Sequence, residues 1–380
     1  MNPTYRANPL RLLVAGGGTG GHIYPALALV RRLRQQFPDA EVRYVGTETG
    51  MEAKIVRNEG LPFVSIEAQG LPRKASPALI RALVVNGRGY RQARGVVRAF
   101  GPDVVLGTGG YACAATVWAA HQAGQVTVIH EQNVLPGMTI RLLARVADRV
   151  CLTFPQSAQY LPRVAKEKWV VTGNPRAQEV AGWTRIEGSQ ALGIDPHLPT
   201  LLIVGGSRGA RPLNEAVTPL LPTWLVREQL QVIYVTGEMH YEGIRASLAP
   251  ALLQHPRLKL FPFLPEMPQA MACSDLLISR AGATTLAEVT AVGLPALFIP
   301  SPYVTANHQE LNARMLVQEG AAQMLLESDL TPQRLQNAVA ELMHHPVRLQ
   351  QMAAAARRLG QPRAADALLA VLLEAVHVRP

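Results

Sequence analysis

The chain has 380 residues, of which 48% are hydrophobic, and its mean hydropathy is +0.09. This length exceeds what one ordinary hydrophobic core needs, so it predicts two globular domains. Its three cysteines lie far apart without a CxxC pair, which indicates neither a disulfide framework nor a zinc site, and no apolar run reaches the ~18 residues of a membrane span.

The first predicted element is a buried strand at residues 12–15, followed by the turn GGGTGGHIYP and a helical pattern from residue 26. Glycines let the backbone approach a phosphate closely, and the N–H groups at a helix start face the anion. The turn satisfies G-x-G-x-x-G, a weak signal, since many strand-to-helix turns carry glycines for steric reasons. His22, beside the glycines, suits either a general base or a capping and packing residue.

The next distinctive segment carries positive charge. Residues 1–180 hold 22 basic and 11 acidic side chains, whereas residues 181–380 hold 15 and 16, so the net charge of +10 arises in the first half. Its densest part contains no acid between Glu67 and Asp103 and mixes apolar residues with Arg73, Lys74, Arg81, Arg88, Arg91, Arg94 and Arg98. Such a helix suits an anionic membrane surface, or a solvated face whose arginine stems cover a core. Nucleic acid is a third candidate, but few aromatic side chains are present to stack on bases.

Strand-like apolar runs alternate with helical patterns along nearly the whole chain. The runs are residues 41–45, 103–106, 126–129, 168–171, 200–204, 231–235, 259–261, 276–278 and 296–299. This alternation predicts an α/β protein with parallel sheets covered by helices on both faces.

Two strand-to-turn starts look alike: LLVAGGGTGGHIYP at Leu12 and LLIVGGSRGARPLN at Leu201. They predict the equivalent first strands of two doubly wound, Rossmann-like domains, with ligands beyond the carboxyl ends of the strands. A cleft shared by two facing domains is then the default site. We place the domains at residues 1–175 and 176–361, with a final helix at about 362–380 that is expected to pack back on the first domain.

Polar side chains follow several strands. Tyr111 comes after one strand with two glycines, and His130-Glu131-Gln132-Asn133 ends another. In the second half, the turn containing Ser207 and Arg208 suits a diphosphate, although Ser207 could equally be an N-cap. Both sets lie where sites gather in this architecture.

The segment SRAGATTLAE, residues 279–288, predicts a strand end, a loop of small residues and a helix that begins near Thr285. Thr285 and Glu288 have the spacing of a capping box. Alternatively, the Glu288 carboxylate accepts two hydrogen bonds from a ribose diol whose diphosphate lies at the helix start. Further along, the amides of NHQELN, residues 307–312, suit sugar hydroxyls or an ordinary loop.

The sequence resembles the MurG family of bacterial N-acetylglucosaminyltransferases in six ordered segments: GGGTGGHIYPALAL, GTGGYACA, HEQNVLPG, TGNPR, GGSRGARPLN and SRAGATTLAEVTAVGLPALFIPSPYVTANHQELNA. The resemblance implies the GT-B fold and an inverting hexosyltransferase. Such an enzyme moves GlcNAc from UDP-GlcNAc to the 4-hydroxyl of MurNAc in undecaprenyl-diphospho-MurNAc-pentapeptide (lipid I), which makes lipid II for peptidoglycan.

The resemblance also implies partners and a location. The partners are UDP-GlcNAc, lipid I, an anionic membrane surface and cell-wall synthesis proteins, without nucleic acid, cofactor or required metal. The location is the cytoplasmic face of the bacterial inner membrane, to which the enzyme is bound peripherally. Roles in cell shape and cell division follow from lipid II synthesis.

Site residues follow from the same resemblance. His22 or Glu131 is the implied base. The acceptor residues are Gly18, Thr19, His22, Tyr111 and Glu131. The UDP-GlcNAc residues are Thr19, Gly20, Gly21, Asn133, Arg176, Ser207, Leu264, Ala283, Thr284, Thr285, Glu288, Gln309 and Asn312. The implied membrane contacts are Arg73, Lys74, Leu79, Ile80, Arg81, Val84, Arg88 and Arg91.

This sequence departs from some relatives at two positions. Arg176 directly follows Pro175, whereas the arginine of those relatives stands one position later, and His308 replaces the first of two adjacent glutamines.

Other functional classes compete with the transferase. Another GT-B enzyme, either a transferase to a different lipid or a UDP-sugar epimerase, shares most of these features. An NAD-dependent oxidoreductase explains the first glycine turn but leaves the second unused, and it needs an acid at the end of the second strand, where Glu41 and Glu48 are poorly spaced. A non-catalytic basic binding module leaves the neutral, loop-rich second half without a role.

Overall fold

The computed structural model describes residues 9–378 apart from residues 73, 75, 207 and 208. Its strands are β1 Arg11–Gly16, β2 Glu41–Gly46, β3 Phe63–Ser65, β4 Val104–Gly109, β5 Val126–Glu131, β6 Arg149–Leu152, β7 Trp169–Val171, β8 Thr200–Val204, β9 Gln231–Val235, β10 Leu258–Phe261, β11 Leu276–Ser279, β12 Ala296–Phe298 and β13 Ala322–Met324. The predicted apolar runs all fall on strands; β3, β6 and β13 were not among them.

The helices alternate with these strands. They are α1 Gly20–Gln36, α2 Met51–Asn58, α3 Pro77–Phe100, α4 Tyr111–Gln122, α5 Met138–Leu143, α6 Arg176–Val180, α7 Arg185–Leu192, α8 Arg211–Val217, α9 Glu238–Ser247, α10 Pro250–Leu253, α11 Met267–Cys273, α12 Ala283–Val292, α13 His308–Gln318, α14 Pro332–Met343, α15 Pro346–Leu359 and α16 Ala364–Val378. None of the helices in the described part of the chain is both long and apolar enough to cross a membrane.

The chain forms two compact units, divided after Arg176 and after Pro362. The N-terminal unit contains β1–β7 and α16, and the C-terminal unit contains β8–β13. Each unit is built on a parallel sheet, with the strand order β3-β2-β1-β4-β5-β6-β7 in one and β10-β9-β8-β11-β12-β13 in the other. The prediction of two doubly wound Rossmann-like domains is therefore confirmed.

The core of the N-terminal unit has two layers because successive side chains of a strand point to opposite faces of the sheet. Leu12 and Val14 of β1 pack on one face with α1 and α16, and Leu13 and Ala15 pack on the other with α3 and α4. Both faces are covered, so the strands read as continuous apolar runs.

Helix α16 belongs to the N-terminal unit although it ends the chain. Leu368, Leu369 and Leu372 are buried in the same cluster as Leu29 of α1. At the rim of this contact Arg32 Nε donates to Asp366 Oδ1 at 2.5 Å.

The C-terminal unit has its core against β8, β9 and β11. Leu201 and Ile203 of β8 pack with Leu213 of α8, with Leu335 of α14 and with Trp224, which is fully buried. In both sheets the strand order reverses beside the first strand of the unit, between β1 and β4 and between β8 and β11. The carboxyl ends of these strands are where ligands bind in doubly wound sheets.

Candidate functional site

The glycine loop between β1 and α1 lies at the reversal point of the first sheet. Gly18 has φ +81°, a conformation that glycine adopts without steric cost. The Gly17 N–H donates to Gly109 O at 3.2 Å, and a Cβ at Gly110 would lie 2.6 Å from Gly17 O. The loops after β1 and β4 are therefore in direct backbone contact.

His22 lies in the first turn of α1 and turns back toward this loop. Its Nδ1 is 2.8 Å from Gly17 O. Because a carbonyl oxygen only accepts, Nδ1 carries the hydrogen, and Nε2 is the nitrogen of the neutral ring that accepts a proton. A Cβ at Gly109 would lie 2.8 Å from Nε2, so glycine at that position makes room for the ring.

Glu131, at the end of β5, is only 2% exposed and holds its own loop together. One carboxylate oxygen accepts from the Asn133 backbone N–H at 2.8 Å and from Asn133 Nδ2 at 3.2 Å. The other accepts from the Gly137 N–H at 2.8 Å. Burial raises the pKa of Glu131, and the hydrogen bonds from Asn133 and Gly137 offset only part of the rise.

His130 and Gln132 are buried behind this loop. His130 Nε2 donates to Gly173 O at 2.9 Å, and Gln132 Nε2 lies 3.0 Å from both His130 Nδ1 and Thr108 O. Burial lowers the pKa of His130 to about 4, despite the hydrogen bond to Gly173. His130 is therefore neutral at physiological pH and ties β5 to the segment after β7, while Gln132 ties the end of β5 to the end of β4.

Tyr111 is the first residue of α4 and is 58% exposed. Its hydroxyl approaches Gly70, where a Cβ would lie 2.6 Å from it. The side chain is therefore accessible to a ligand at the carboxyl edge of the sheet.

In the C-terminal unit a second glycine loop follows β8. Gly206 has φ +91° and Gly209 has φ +72°. A Cβ at Gly209 would lie 2.3 Å from Thr236 O, so only glycine fits there. Ser207, the predicted diphosphate contact, lies outside the described residues.

The helix after β11 begins at Ala283, not near Thr285. Its N-cap is Gly282, and no side chain caps it. The capping-box interpretation of Thr285 and Glu288 is therefore wrong: Glu288 lies one turn too far along the helix. Glu288 is 6% exposed.

The start of α12 carries a hydroxyl suited to an anion. The Thr284 Oγ1 atom is buried and has no hydrogen-bond partner among the described residues. It stands beside the N–H groups of the first turn, which point away from the helix toward any bound anion.

Three side chains brace the loops that follow β11 and β12. Asn312, fully buried on α13, donates from Nδ2 to Ala281 O at 3.2 Å, and Gln309 Oε1 accepts from the Ser301 N–H at 2.9 Å. Arg280 Nη1 donates to Ile299 O at 3.0 Å, while Arg280 Nη2 pairs with Glu327. The predicted sugar contacts Gln309 and Asn312 therefore also hold the loops that follow β11 and β12.

Comparisons with known proteins place these two sites in a family. The glycosyltransferase family 28 N-terminal domain matches residues 12–152, and the C-terminal domain of that family matches residues 200–368. A protein of Halalkalibacterium halodurans, named UDP-N-acetylglucosamine–N-acetylmuramyl-(pentapeptide) pyrophosphoryl-undecaprenol N-acetylglucosamine transferase, is 45% identical over 94% of this chain and 98% of its own length. A protein of the same name from Listeria monocytogenes is 44% identical over 96% of this chain and 99% of its own length. The chain belongs to the MurG family.

Solved structures agree with this assignment. The crystal structure of Acinetobacter baumannii MurG has a TM-score of 0.75, with 32% identity over 96% of this chain and 100% of that chain. A UDP-GlcNAc 2-epimerase from Neisseria meningitidis has a TM-score of 0.66 at 15% identity. The match covers 96% of this chain and 99% of the epimerase chain, so the two proteins share the fold.

Several residues that the MurG resemblance assigns are now placed. Gly18, Thr19, Gly20, Gly21 and His22 form one loop and helix start. Leu264 is buried in the loop after β10, and Ala283, Thr284 and Thr285 form the first turn of α12. The Arg176 N–H donates to Asn174 Oδ1 at 3.1 Å at the start of α6. No three His, Cys, Asp or Glu side chains in the described ranges lie close enough to hold a metal ion.

The implied membrane residues lie on α3 or just before it. Its buried stripe consists of Ala82, Gly89, Ala93, Val97 and Phe100. Ile80 is 67% exposed and Val84 is 51% exposed, so these apolar side chains are not core residues. Lys74, Arg81, Arg88 and Arg91 are exposed, Leu79 is half-buried, and Arg73 lies outside the described residues.

Sequence reasoning missed Glu52, which lies under the first glycine loop. It is 1% exposed and accepts from the Gly18 N–H at 3.0 Å. Its only sequence signal is an acid in the first turn of a predicted helix, which usually indicates a favourable helix dipole contact.

Proposed function

We propose that this MurG-family protein transfers GlcNAc from UDP-GlcNAc to the 4-hydroxyl of MurNAc in lipid I, with inversion, and so makes lipid II for peptidoglycan. The observation that carries the proposal is identity of about 45% to named transferases over nearly the whole length of both chains. The two glycine loops each lie at the reversal point of a sheet and would supply a phosphate-binding site for each substrate.

The C-terminal unit would hold the sugar donor. The N–H groups at the start of α12, with the Thr284 hydroxyl, would bind the diphosphate, Glu288 the ribose diol, and the backbone at Leu264 the uracil. Gln309, Asn312, Asn133, Arg176 and Ser207 complete the proposed donor set, with Thr19, Gly20 and Gly21 of the first loop. As UDP leaves, its growing negative charge faces fixed N–H groups, so the mechanism requires no metal or cofactor.

The N-terminal unit would hold the acceptor. We assign the general base to His22, because the hydrogen bond from Nδ1 to Gly17 O leaves Nε2 as the proton acceptor. Glu131 accepts hydrogen bonds from its own loop through both oxygens, so we assign it a positioning role. Tyr111 and Gly18 would line the acceptor side.

We further propose that the exposed basic and apolar side chains of α3 contact the cytoplasmic face of the inner membrane. Apolar residues at 80, 83 and 84 stand beside exposed arginines, a pattern that binds anionic lipid surfaces. Contacts with other cell-wall synthesis proteins, and none with nucleic acid, complete this proposal.

The test is transfer of radiolabelled GlcNAc to a short-chain lipid I analogue. The wild type should produce the lipid II analogue and release UDP only when the acceptor is present. Glu288→Ala should raise KM for UDP-GlcNAc, and His22→Ala should lower kcat by about 10²–10⁴-fold, the usual contribution of a general base.

Two results would redirect the proposal. Normal turnover by His22→Ala would move the base assignment to Glu131. If the wild type binds UDP-GlcNAc but does not transfer to a verified acceptor, another GT-B activity applies, and conversion of UDP-GlcNAc to a different UDP-sugar without acceptor would favour an epimerase.

A further inference from the structure

The buried carboxylate of Glu52 contacts the first glycine loop. One oxygen accepts from the Gly18 N–H at 3.0 Å. The other accepts from the Thr47 N–H at 2.9 Å and from Thr47 Oγ1 at 2.7 Å. Glu52 therefore joins the loop after β2 to the loop after β1.

The surrounding backbone is shaped to admit this carboxylate. A Cβ at Gly17 would lie 2.4 Å from Glu52 Cδ, and one at Gly50 would lie 2.3 Å from an oxygen of the same group. A Cβ at Gly46 would lie 2.6 Å from Glu52 Cγ. Glycine at all three positions lets three backbone segments close around one side chain.

A single peptide group connects Glu52 to His22. The N–H of Gly18 donates to Glu52, and the C=O of the same peptide, belonging to Gly17, accepts from His22 Nδ1 at 2.8 Å. A trans peptide is planar, with its C=O and N–H pointing in opposite directions. Fixing the N–H therefore fixes the direction of the C=O that orients the imidazole.

We infer that Glu52 is a positioning residue that acts through the Gly17–Gly18 peptide to keep the His22 proton on Nδ1 and to raise the basicity of Nε2. A hydrogen bond to a carboxylate polarises the amide, which makes its carbonyl a stronger acceptor for the imidazole. In serine proteases a carboxylate does the same to histidine directly. The inference rests on the proposed function, in which His22 takes the acceptor proton.

Glu52 is ionised at neutral pH. Burial raises its pKa, but the hydrogen bonds from Gly18 and Thr47 together lower it below the ordinary value. Among the neighbouring titratable groups, burial raises the pKa of Tyr44 on β2 and raises that of Cys113 on α4 to about 12. Both are neutral near pH 7, as is His130 on β5, whereas Glu52 carries a negative charge.

The first test is kinetic and uses Glu52→Gln, which keeps the size of the side chain. A carboxamide has one acceptor oxygen, so its NH₂ group must face either the Gly18 or the Thr47 N–H. We expect kcat to fall by about tenfold or more, as for other residues that orient a functional imidazole, with KM for UDP-GlcNAc within about twofold of wild type.

Two variants control this experiment. Glu52→Asp keeps the charge in the same recess and should recover part of the lost rate, which a loss of folding would not allow. Glu48→Gln removes an exposed carboxylate from the loop after β2, where Glu48 pairs with Arg57. This variant should leave kcat unchanged.

The second test does not depend on turnover. In protein labelled with ¹⁵N-histidine, the His22 resonance, identified by its loss in His22→Ala, should report hydrogen on Nδ1 in the neutral ring. In Glu52→Gln its protonation midpoint should fall by about half a pH unit or more, because a partner that stabilises the imidazolium is lost. The acid limb of kcat/KM should move to lower pH by the same amount.

The outcomes separate this inference from the proposed function. If the wild type fails to transfer to lipid I but the His22 titration still shifts in Glu52→Gln, the proposed substrate is wrong and the positioning role of Glu52 stands. An unchanged His22 titration and tautomer in Glu52→Gln would overturn the positioning role of Glu52. So would a Glu52→Gln, His22→Ala double variant that is slower than His22→Ala by the full Glu52→Gln factor, because groups that act in series are not additive.

Discussion

At the scale of single residues, the N-terminal unit buries polar side chains with partners that set their protonation. His130 donates to Gly173 O and accepts from Gln132, which only a neutral imidazole can do. Glu131 accepts from two backbone N–H groups of its own loop. These contacts fix the end of β5 and the loop that follows it.

The burial of His130 predicts a pH-dependent stability. The pKa of His130 is about 4 when folded and near 6.5 when exposed, so between these values the unfolded chain binds more protons. Stability present above pH 6.5 is lost as the pH falls toward 4, by roughly 3 kcal/mol. Denaturant unfolding of wild type and His130→Gln from pH 7 to 4.5 measures it.

In this experiment His130→Gln should be less stable at pH 7, and its disadvantage should shrink as the pH falls. The control is His377→Gln, an exposed histidine on α16 of the same unit, which should follow the wild-type curve. A constant difference between wild type and His130→Gln across the range would contradict the prediction.

At the scale of elements, strand ends and helix starts carry most of the assigned residues. Helix α12 follows β11 after three residues, so its first N–H groups lie at the carboxyl edge of the sheet. Helix α3 instead buries one stripe that ends at Val97 and Phe100 and leaves Ile80, Leu83 and Val84 exposed near its start. The two elements therefore predict two different surfaces, one for an anion and one for lipid.

For α12 we predict that Thr284→Val weakens UDP binding without lowering stability. The hydroxyl has no partner among the described residues to lose on substitution, whereas a hydrogen bond to a phosphate contributes about 1.5–3 kcal/mol. Calorimetry should show Kd for UDP rising by about 10- to 100-fold, with Tm unchanged.

The matched control for this variant lies on the same helix. The Thr290 hydroxyl donates to Leu286 O at 2.9 Å, so Thr290→Val should change Tm more than it changes Kd for UDP. Equal UDP affinity in Thr284→Val and wild type would remove Thr284 from the donor site.

For α3 we predict that reversing the charge of Arg81, Arg88 and Arg91 to glutamate weakens binding to vesicles containing anionic lipid. Each basic side chain near such a surface contributes about 1 kcal/mol, so the triple variant should bind at least 100-fold more weakly at low salt. Vesicle sedimentation measures this loss. Arg358→Glu on α15 is the control and should bind like wild type; equal binding by the triple variant would refute the α3 surface.

At the scale of the whole molecule, the chain crosses between its two units twice. It leaves the N-terminal unit after Arg176 and returns after Pro362, so α16 completes the first core from the far end of the sequence. Leu372 is 1% exposed there, among residues of β1 and α1. The stability of the N-terminal unit therefore depends on the last residues of the chain.

We accordingly predict that Leu372→Ala lowers the stability of the N-terminal unit by about 2–5 kcal/mol, the usual cost of a buried leucine. In calorimetry, UDP-GlcNAc should raise the unfolding temperature of the C-terminal unit. Leu372→Ala should lower the unfolding temperature of the N-terminal unit. Val378→Ala, at an exposed position of the same helix, should change neither. An unaltered thermogram for Leu372→Ala would show that α16 contributes little to the core.

Local patterns allowed the fold to be predicted because parallel strands buried on both faces read as apolar runs, and their glycine turns mark ligand edges. Two short strands were not predicted from the sequence. Strands β3 and β13 have three residues each and lie at sheet edges, and three residues are too few to show a pattern. The start of α12 was misplaced by two residues because T-x-x-E spacing imitates a capping box, whereas the tertiary structure caps that helix with Gly282.

The sequence by itself determined the two α/β domains, the family, and the strand-end segments that carry the site, because these depend on periodicity and on short motifs. Only the tertiary structure decided which side chains contact one another within those segments. It placed Glu52 under a loop more than 30 residues away in the chain, joined it to His22 through one peptide, and turned Glu131 toward its own backbone. These roles depend on hydrogen bonds between distant segments, whose partners are set only when the strands pack side by side.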